Sequence, residues 1–96
     1  MNIPTQGNVV AQFGAKWCSP CKTIEPFVKE QAQNHGAEFL HIDVEEHPLL
    51  ADQYRIRSMP TIITFINGTE IRRVNSASRD LIRDGVRGTF QRGLHA

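Results

Sequence analysis

The sequence predicts a small α/β domain, a four-stranded mixed sheet flanked by helices in the order β-α-β-α-β-β-α. Three observations carry this. Two short apolar runs, Val9–Phe13 and Glu38–Val44, flank a stretch with helical periodicity, which is the signature of a strand–helix–strand unit. Two β-branched runs meet at Asn67-Gly68, a strong hairpin signal. A Ser-capped amphipathic segment then closes the chain.

Val9, Val10, Ala11 and Phe13, bounded by Gly7 and Gly14, suit a buried first strand. After Cys18, the apolar residues Ile24, Phe27, Val28 and Ala32 recur at helical spacing, and Gly36 supplies a stop. Pro26 inside this helix removes a backbone donor and should bend it, so that the turn carrying the cysteines is aimed apart from the rest. Phe39, Leu40, Ile42 and Val44 form the second strand. A unit of this length implies a parallel pair joined by a right-handed crossover. Pro48 is suited to a helix start, with Leu49, Leu50, Ala51 and Tyr54 as the apolar face. Thr61–Ile66 and Glu70–Val74 are expected as antiparallel neighbours. Ser78 caps a last helix with Leu81, Ile82, Val86 and Phe90 as its apolar positions, weakened by about 1 kcal/mol each at Gly85 and Gly88 relative to alanine.

With 96 residues, 40% of them hydrophobic and 22% charged, the chain is expected to form a single domain over residues 1–96 that folds without a partner. A formal net charge of +1, with the arginines between Arg72 and Arg92 interrupted by apolar and acidic residues, argues against nucleic-acid binding. No apolar run approaches the roughly 20 residues of a membrane span, and the first eight residues lack the pattern of a secretory signal. A cytoplasmic monomer is the expectation. Two cysteines are too few for a multiple-bridge scaffold, and a loop of two intervening residues constrains little of the unfolded chain. Cys18 and Cys21 therefore read as chemistry.

Cysteine attacks as thiolate, and the first turn of a helix favours it by directing unpaired N–H groups at the sulfur. Cys18 holds that place. Cys21, one turn on, is in reach of Cys18 but drawn away from solvent, which assigns attack to Cys18 and resolution of the mixed disulfide to Cys21. Pro20 limits the freedom of the loop and tunes redox poise. Lys16 and Lys22 can favour thiolate, with solvated surface lysines as the plainer reading.

The stretch Phe13-Gly14-Ala15-Lys16-Trp17-Cys18-Ser19-Pro20-Cys21-Lys22 resembles the active-site segment of thioredoxins. Pro26, Met59-Pro60-Thr61 and Asn67-Gly68 are similar to the family's helix-bending proline, cis-proline loop and hairpin. The resemblance implies a thioredoxin fold, a cis Met59–Pro60 bond facing the cysteines, and substrate binding at Trp17, Met59, Pro60 and Asn75. Gln12, Ser19, Pro20 and Lys22 would tune the site. It also implies disulfide-containing protein substrates, a flavoprotein thioredoxin reductase as electron donor, and no cofactor or metal. Seventeen residues precede Cys18, too few for the leading strand and helix of full-length thioredoxins, so a minimal version close to glutaredoxins in size is expected.

Several positions depart from the family. Gln12 stands where thioredoxins usually carry a buried aspartate that moves the proton of the resolving cysteine, and Phe39 aligns with its companion lysine. Glutamine cannot take up and return a proton in this range. Slower resolution, proton transfer through solvent, or Glu25 standing in are the alternatives, with solvent preferred. Gly14 replaces a common aromatic residue, and Asn75 replaces a glycine that lets substrate approach. Rival readings are a thioredoxin-fold binding subunit of a larger assembly and a disulfide oxidase or isomerase, although Ser19-Pro20 leans toward a reductant. Zinc binding would need His35, His41, His47 or His95, whose spacing from the cysteines is poor, and these are read as surface or strand-edge residues.

Overall fold

The structure, a computed structural model, describes residues 1–91. Its elements run β1 (Asn8–Gly14), α1 (Ser19–Asn34), β2 (Glu38–Asp43), α2 (Pro48–Gln53), β3 (Thr61–Ile66), β4 (Thr69–Val74) and α3 (Arg79–Phe90). The sheet order is β2-β1-β3-β4. β1 and β2 are parallel, and β3 is antiparallel to both β1 and β4. The expected order and strand directions are all present.

β1 is central and buried on both faces, which explains its nearly continuous apolar run. Its alternation divides the core. Val9, Ala11 and Phe13 pack with Ile42, Leu50, Ile63 and Phe65 on one side, and Tyr54 packs edge-on to Phe65 at 5.4 Å. Val10 packs with Ile24, Val28, Ile62, Ile82 and Val86 on the other, beneath α1 and α3. Gln12 and Gly14 share the second face with Val10 by the two-residue period of a strand. The same parity puts Phe39 and His41 of β2 on that face, while Leu40 and Ile42 join the opposite cluster.

Local chemistry matches the elements. Cys18 is the N-cap of α1, Pro26 lies inside that helix, and Pro48 opens α2. Asn67 and Gly68 take φ of 50° and 80°, the left-handed pair of a tight hairpin turn. Ser78 Oγ accepts from Leu81 N–H at 3.3 Å and caps α3.

Two apolar residues expected to face inward do not. Leu49 is 83% exposed and Leu81 is 55% exposed, because burial in the two short helix starts falls on Leu50, Ala51 and Ile82 instead. Gly85 and Gly88, expected only to weaken α3, have a packing reason. A Cβ at Gly85 would meet Val74 Cγ2 at 3.0 Å, and one at Gly88 would meet the Arg72 guanidinium at 3.1 Å, so both let the helix lie close on β4. Thr89 anchors it there: its hydroxyl donates to Gly85 O at 2.8 Å and accepts from the buried Thr64 hydroxyl at 2.7 Å. No helix among the described residues is long and apolar enough to cross a membrane.

Candidate active site

The C-terminal end of β1, the start of α1 and the loop before β3 converge on the two cysteines. Cys18 and Cys21 are joined as a disulfide with Cα atoms 5.3 Å apart. The helix start sets their geometry. Cys18 has extended backbone (φ −89°, ψ 100°), and its Sγ accepts from Cys21 N–H at 3.3 Å, so one of the unpaired first-turn donors is directed at sulfur. Cys18 is 5% exposed and Cys21 only 1%. The sulfur nearer the surface is the capping one. Ala15, Val44 and Met59 pack around the pair.

The other expected site residues surround it at different depths. Trp17 is 66% exposed, and its indole N–H donates to Glu45 Oε1 at 3.2 Å, which ties this ring to the loop after β2. Lys16, Ser19, Pro20 and Lys22 are solvent-exposed. The Met59–Pro60 bond is cis, Pro60 is buried, and Met59 rests on the cysteine cluster. Asn75 is exposed, but its side chain is turned to the Thr61 hydroxyl at 3.1 Å, and that hydroxyl also lies 2.7 Å from Ser58 O. Asn75 thus braces the proline loop from β4.

Behind the cysteines, Gln12 is fully buried. Its Nε2 donates to Cys21 O at 2.9 Å, which fixes the amide's orientation and leaves Oε1 buried without a hydrogen-bond partner. Gly14 is an opening rather than a turn residue. A Cβ there would stand 3.0 Å from Cys21 Sγ and 3.9 Å from His41 Nε2, so the space an aromatic side chain would fill lies between the Cys21 sulfur and an imidazole. His41 pairs with Gln12 across the β1–β2 register, and its Nε2 is 3.5 Å from Glu25 Oε1.

Sequence reasoning placed His41 among surface and strand-edge residues. It is on an edge strand and partly exposed, yet its Nε2 borders the same Gly14 opening as Cys21 Sγ. The detectable signal was Glu25, four residues after Cys21 and therefore on the same face of α1. Among the described residues no three side chains of the metal-ligating types converge, and His95 lies outside the described residues.

Comparison with known proteins agrees with this geometry. The family model "Thioredoxin" matches residues 2–87. A thioredoxin of Echinococcus granulosus is 40% identical over 77 residues, covering 79% of this chain and 72% of that protein. A thioredoxin of Mycoplasma genitalium is 42% identical over 67 residues, covering 69% of this chain and 66% of that protein. The crystal structure of reduced Schistosoma mansoni thioredoxin pre-protein superposes with a TM-score of 0.76 at 38% identity, covering 90% of this chain and 81% of that one. With a family model over nearly its whole length, relatives at about this identity and a cysteine pair bridged at the start of a helix, the chain belongs to the thioredoxin family of thiol–disulfide oxidoreductases.

Proposed function

We propose that this protein reduces disulfides of other proteins, with Cys18 as nucleophile and Cys21 as resolving thiol. The observation that carries the assignment is the asymmetry of the pair. Cys18 Sγ receives the Cys21 N–H at the helix cap, an interaction that favours thiolate over thiol, while Cys21 is sealed beneath it. Cys18 thiolate attacks one sulfur of the substrate disulfide and expels the other as a thiolate, giving a mixed disulfide. Cys21 then attacks Cys18 Sγ, the bond to substrate breaks, and the second substrate sulfur leaves as thiolate. Two electrons pass from the dithiol to the substrate.

The substrate segment lies in extended form against Met59, whose backbone it meets as an added strand, with Pro60 offering no competing N–H. Trp17 supplies an apolar lip and Asn75 borders the groove. Ser19, Pro20 and Lys22 adjust poise from the exposed rim. The protein acts as a cytoplasmic monomer recharged by a flavoprotein thioredoxin reductase. It needs no cofactor of its own.

The reduction potential tests the direction of transfer. The Cys18–Cys21 couple is equilibrated in thiol buffers and followed by Trp17 fluorescence. A potential below that of the glutathione pool, about −220 to −260 mV by extraction, supports a reductant. One well above it makes the protein a disulfide donor or isomerase, and the absence of a two-electron couple leaves a binding subunit.

A further inference from the structure

The resolving thiol must lose its proton before it can attack, and in this chain the side chain beneath it is an amide. Gln12 donates to Cys21 O and presents a free acceptor at Oε1, but an amide cannot take the proton up. His41 and Glu25 stand on that side of the sheet. The Gly14 opening brings Cys21 Sγ and His41 Nε2 within 4 Å of one point, and Glu25 Oε1 stands 3.5 Å from the same imidazole nitrogen.

We propose that His41, assisted by Glu25, accepts the Cys21 proton during resolution and carries it to solvent. The proposal rests on the thiol-exchange reading above. Three features support it. An imidazole nitrogen with a free lone pair can accept a proton and give it up again, which the Gln12 amide cannot. Nε2 is the atom that faces both the sulfur's surroundings and the carboxylate, so the nitrogen that gains the proton is the one whose charge Glu25 offsets. His41 and Glu25 side chains are 41% and 40% exposed, which gives the proton an exit that the buried sulfur lacks.

The surroundings leave few competitors. From α1, Glu25 Oε1 stands 3.5 Å from His41 Nε2, and Cys21 Sγ borders the same Gly14 opening. From β1 His41 meets Gln12 and Gly14, neither titratable, and β2 is the edge strand of the sheet among the described residues. Asp43, next on that face of β2, has its Oδ1 occupied by Glu45 N–H at 2.8 Å and Glu46 N–H at 3.3 Å. In the step itself, the Cys21 S–H proton passes to His41 Nε2, directly or through one water. The Cys21 lone pair forms the bond to Cys18 Sγ, the Cys18–substrate S–S bond breaks, and its electron pair leaves on the substrate sulfur. The imidazolium then returns its proton to water or to the departing thiolate.

Stopped-flow reaction of the reduced protein with an equimolar aromatic disulfide, whose two coloured thiolates leave in successive phases, separates attack by Cys18 from resolution by Cys21. His41→Gln should leave the first phase unchanged and slow the second by roughly tenfold to a hundredfold, the lower range of general-base effects because water competes. The second phase of the unmodified protein should depend on pH, and His41→Gln should change the shape of that dependence. Glu25→Gln should give a smaller slowing, and adding Gln12→Asp to His41→Gln should restore the second phase. Unaltered second phases and pH profiles in both single variants overturn the role of His41 while leaving thiol exchange intact. Equal slowing of both phases by His41→Gln marks a structural effect and also overturns it. A second phase absent from the unmodified protein overturns the dithiol reading itself.

Discussion

Replacing Gln12 by aspartate measures how dry the space beneath the cysteines is. The residue is fully buried, its one hydrogen bond runs from Nε2 to Cys21 O, and its Oε1 has no partner. Gln12→Asp removes that donor, at about 0.5–1.5 kcal/mol, and introduces a carboxyl whose charged form burial disfavours. The folded pKa is therefore raised above the unfolded value of about 3.9. For an acid shifted upward, the penalty is absent below the unfolded pKa and grows as pH rises, because the unfolded chain ionises first. If the folded carboxyl is still protonated at pH 7, roughly three pH units at ~1.36 kcal/mol each give a penalty of about 4 kcal/mol. That figure is an upper bound, since His41 opposite would relieve part of it when protonated.

The expected result is a loss of about 1 kcal/mol at pH 4 and up to about 5 kcal/mol at pH 7, a large share of the 5–15 kcal/mol typical of a domain. Urea denaturation of both oxidised proteins at the two pH values reads it directly. Once ionised, above its raised folded pKa, the same carboxyl is a proton acceptor beside Cys21 and should speed disulfide reduction there. A destabilisation equal at pH 4 and pH 7 would refute the argument, for it would mean that the site solvates a carboxylate as well as water does.

Other substitutions test separate parts of the structure. Thr89→Val removes the Thr64 hydroxyl's 2.7 Å partner, leaving it only Arg72 O at 3.4 Å, and should cost about 1–3 kcal/mol in chemical denaturation, with a double variant that also carries Thr64→Val losing less than the two single losses combined. Gly14→Ala sets a methyl 3.0 Å from Cys21 Sγ and should lower the stability of the oxidised form by about 1–3 kcal/mol; a neutral result would show that Cys21 yields freely. Trp17→Ala removes a side chain that is 66% exposed, so denaturation should change by no more than about 0.5 kcal/mol while KM for a protein disulfide rises several-fold. An unchanged KM would remove Trp17 from the binding surface.

The element order was legible because each element carries its own local instruction: the two-residue alternation of β1, the proline at the start of α2, the Asn67-Gly68 turn and the Ser78 cap. Facing was harder where a helix is short. Leu49 and Leu81 each sit beside another apolar residue, and neighbouring positions on a helix point about 100° apart, so only the docking of the helix decides which is buried. The dithiol motif was legible residue by residue, whereas its surroundings depended on registers that no local pattern encodes. Strand parity alone puts Gln12 and Gly14 on one face of β1 and His41 on one face of β2. It does not say that Gln12 stands opposite His41, or that α1 brings Glu25 to the imidazole. Asn75 illustrates the same limit, since its hold on Thr61 spans 14 residues across the β3–β4 pair.

The chemistry is local and its support is not. The sulfur geometry comes from one helix turn, but every wall of the site is tied to a different element: Gln12 from β1 to Cys21 O, Trp17 to Glu45 after β2, and the proline loop to Asn75 after β4. α3 contributes none of these ties, since it packs on the opposite end of that face, against Val10, Ile62, Val74 and α1, and is pinned to Thr64. Loosening α3 through Thr89 should therefore lower the denaturation midpoint while leaving the alkylation rate of Cys18 unchanged in the folded protein. Changes at Gln12 should alter the resolution step together with stability. Stability and reactivity can thus be varied separately along the chain, and they meet on the buried face where β1, β2 and α1 enclose Cys21.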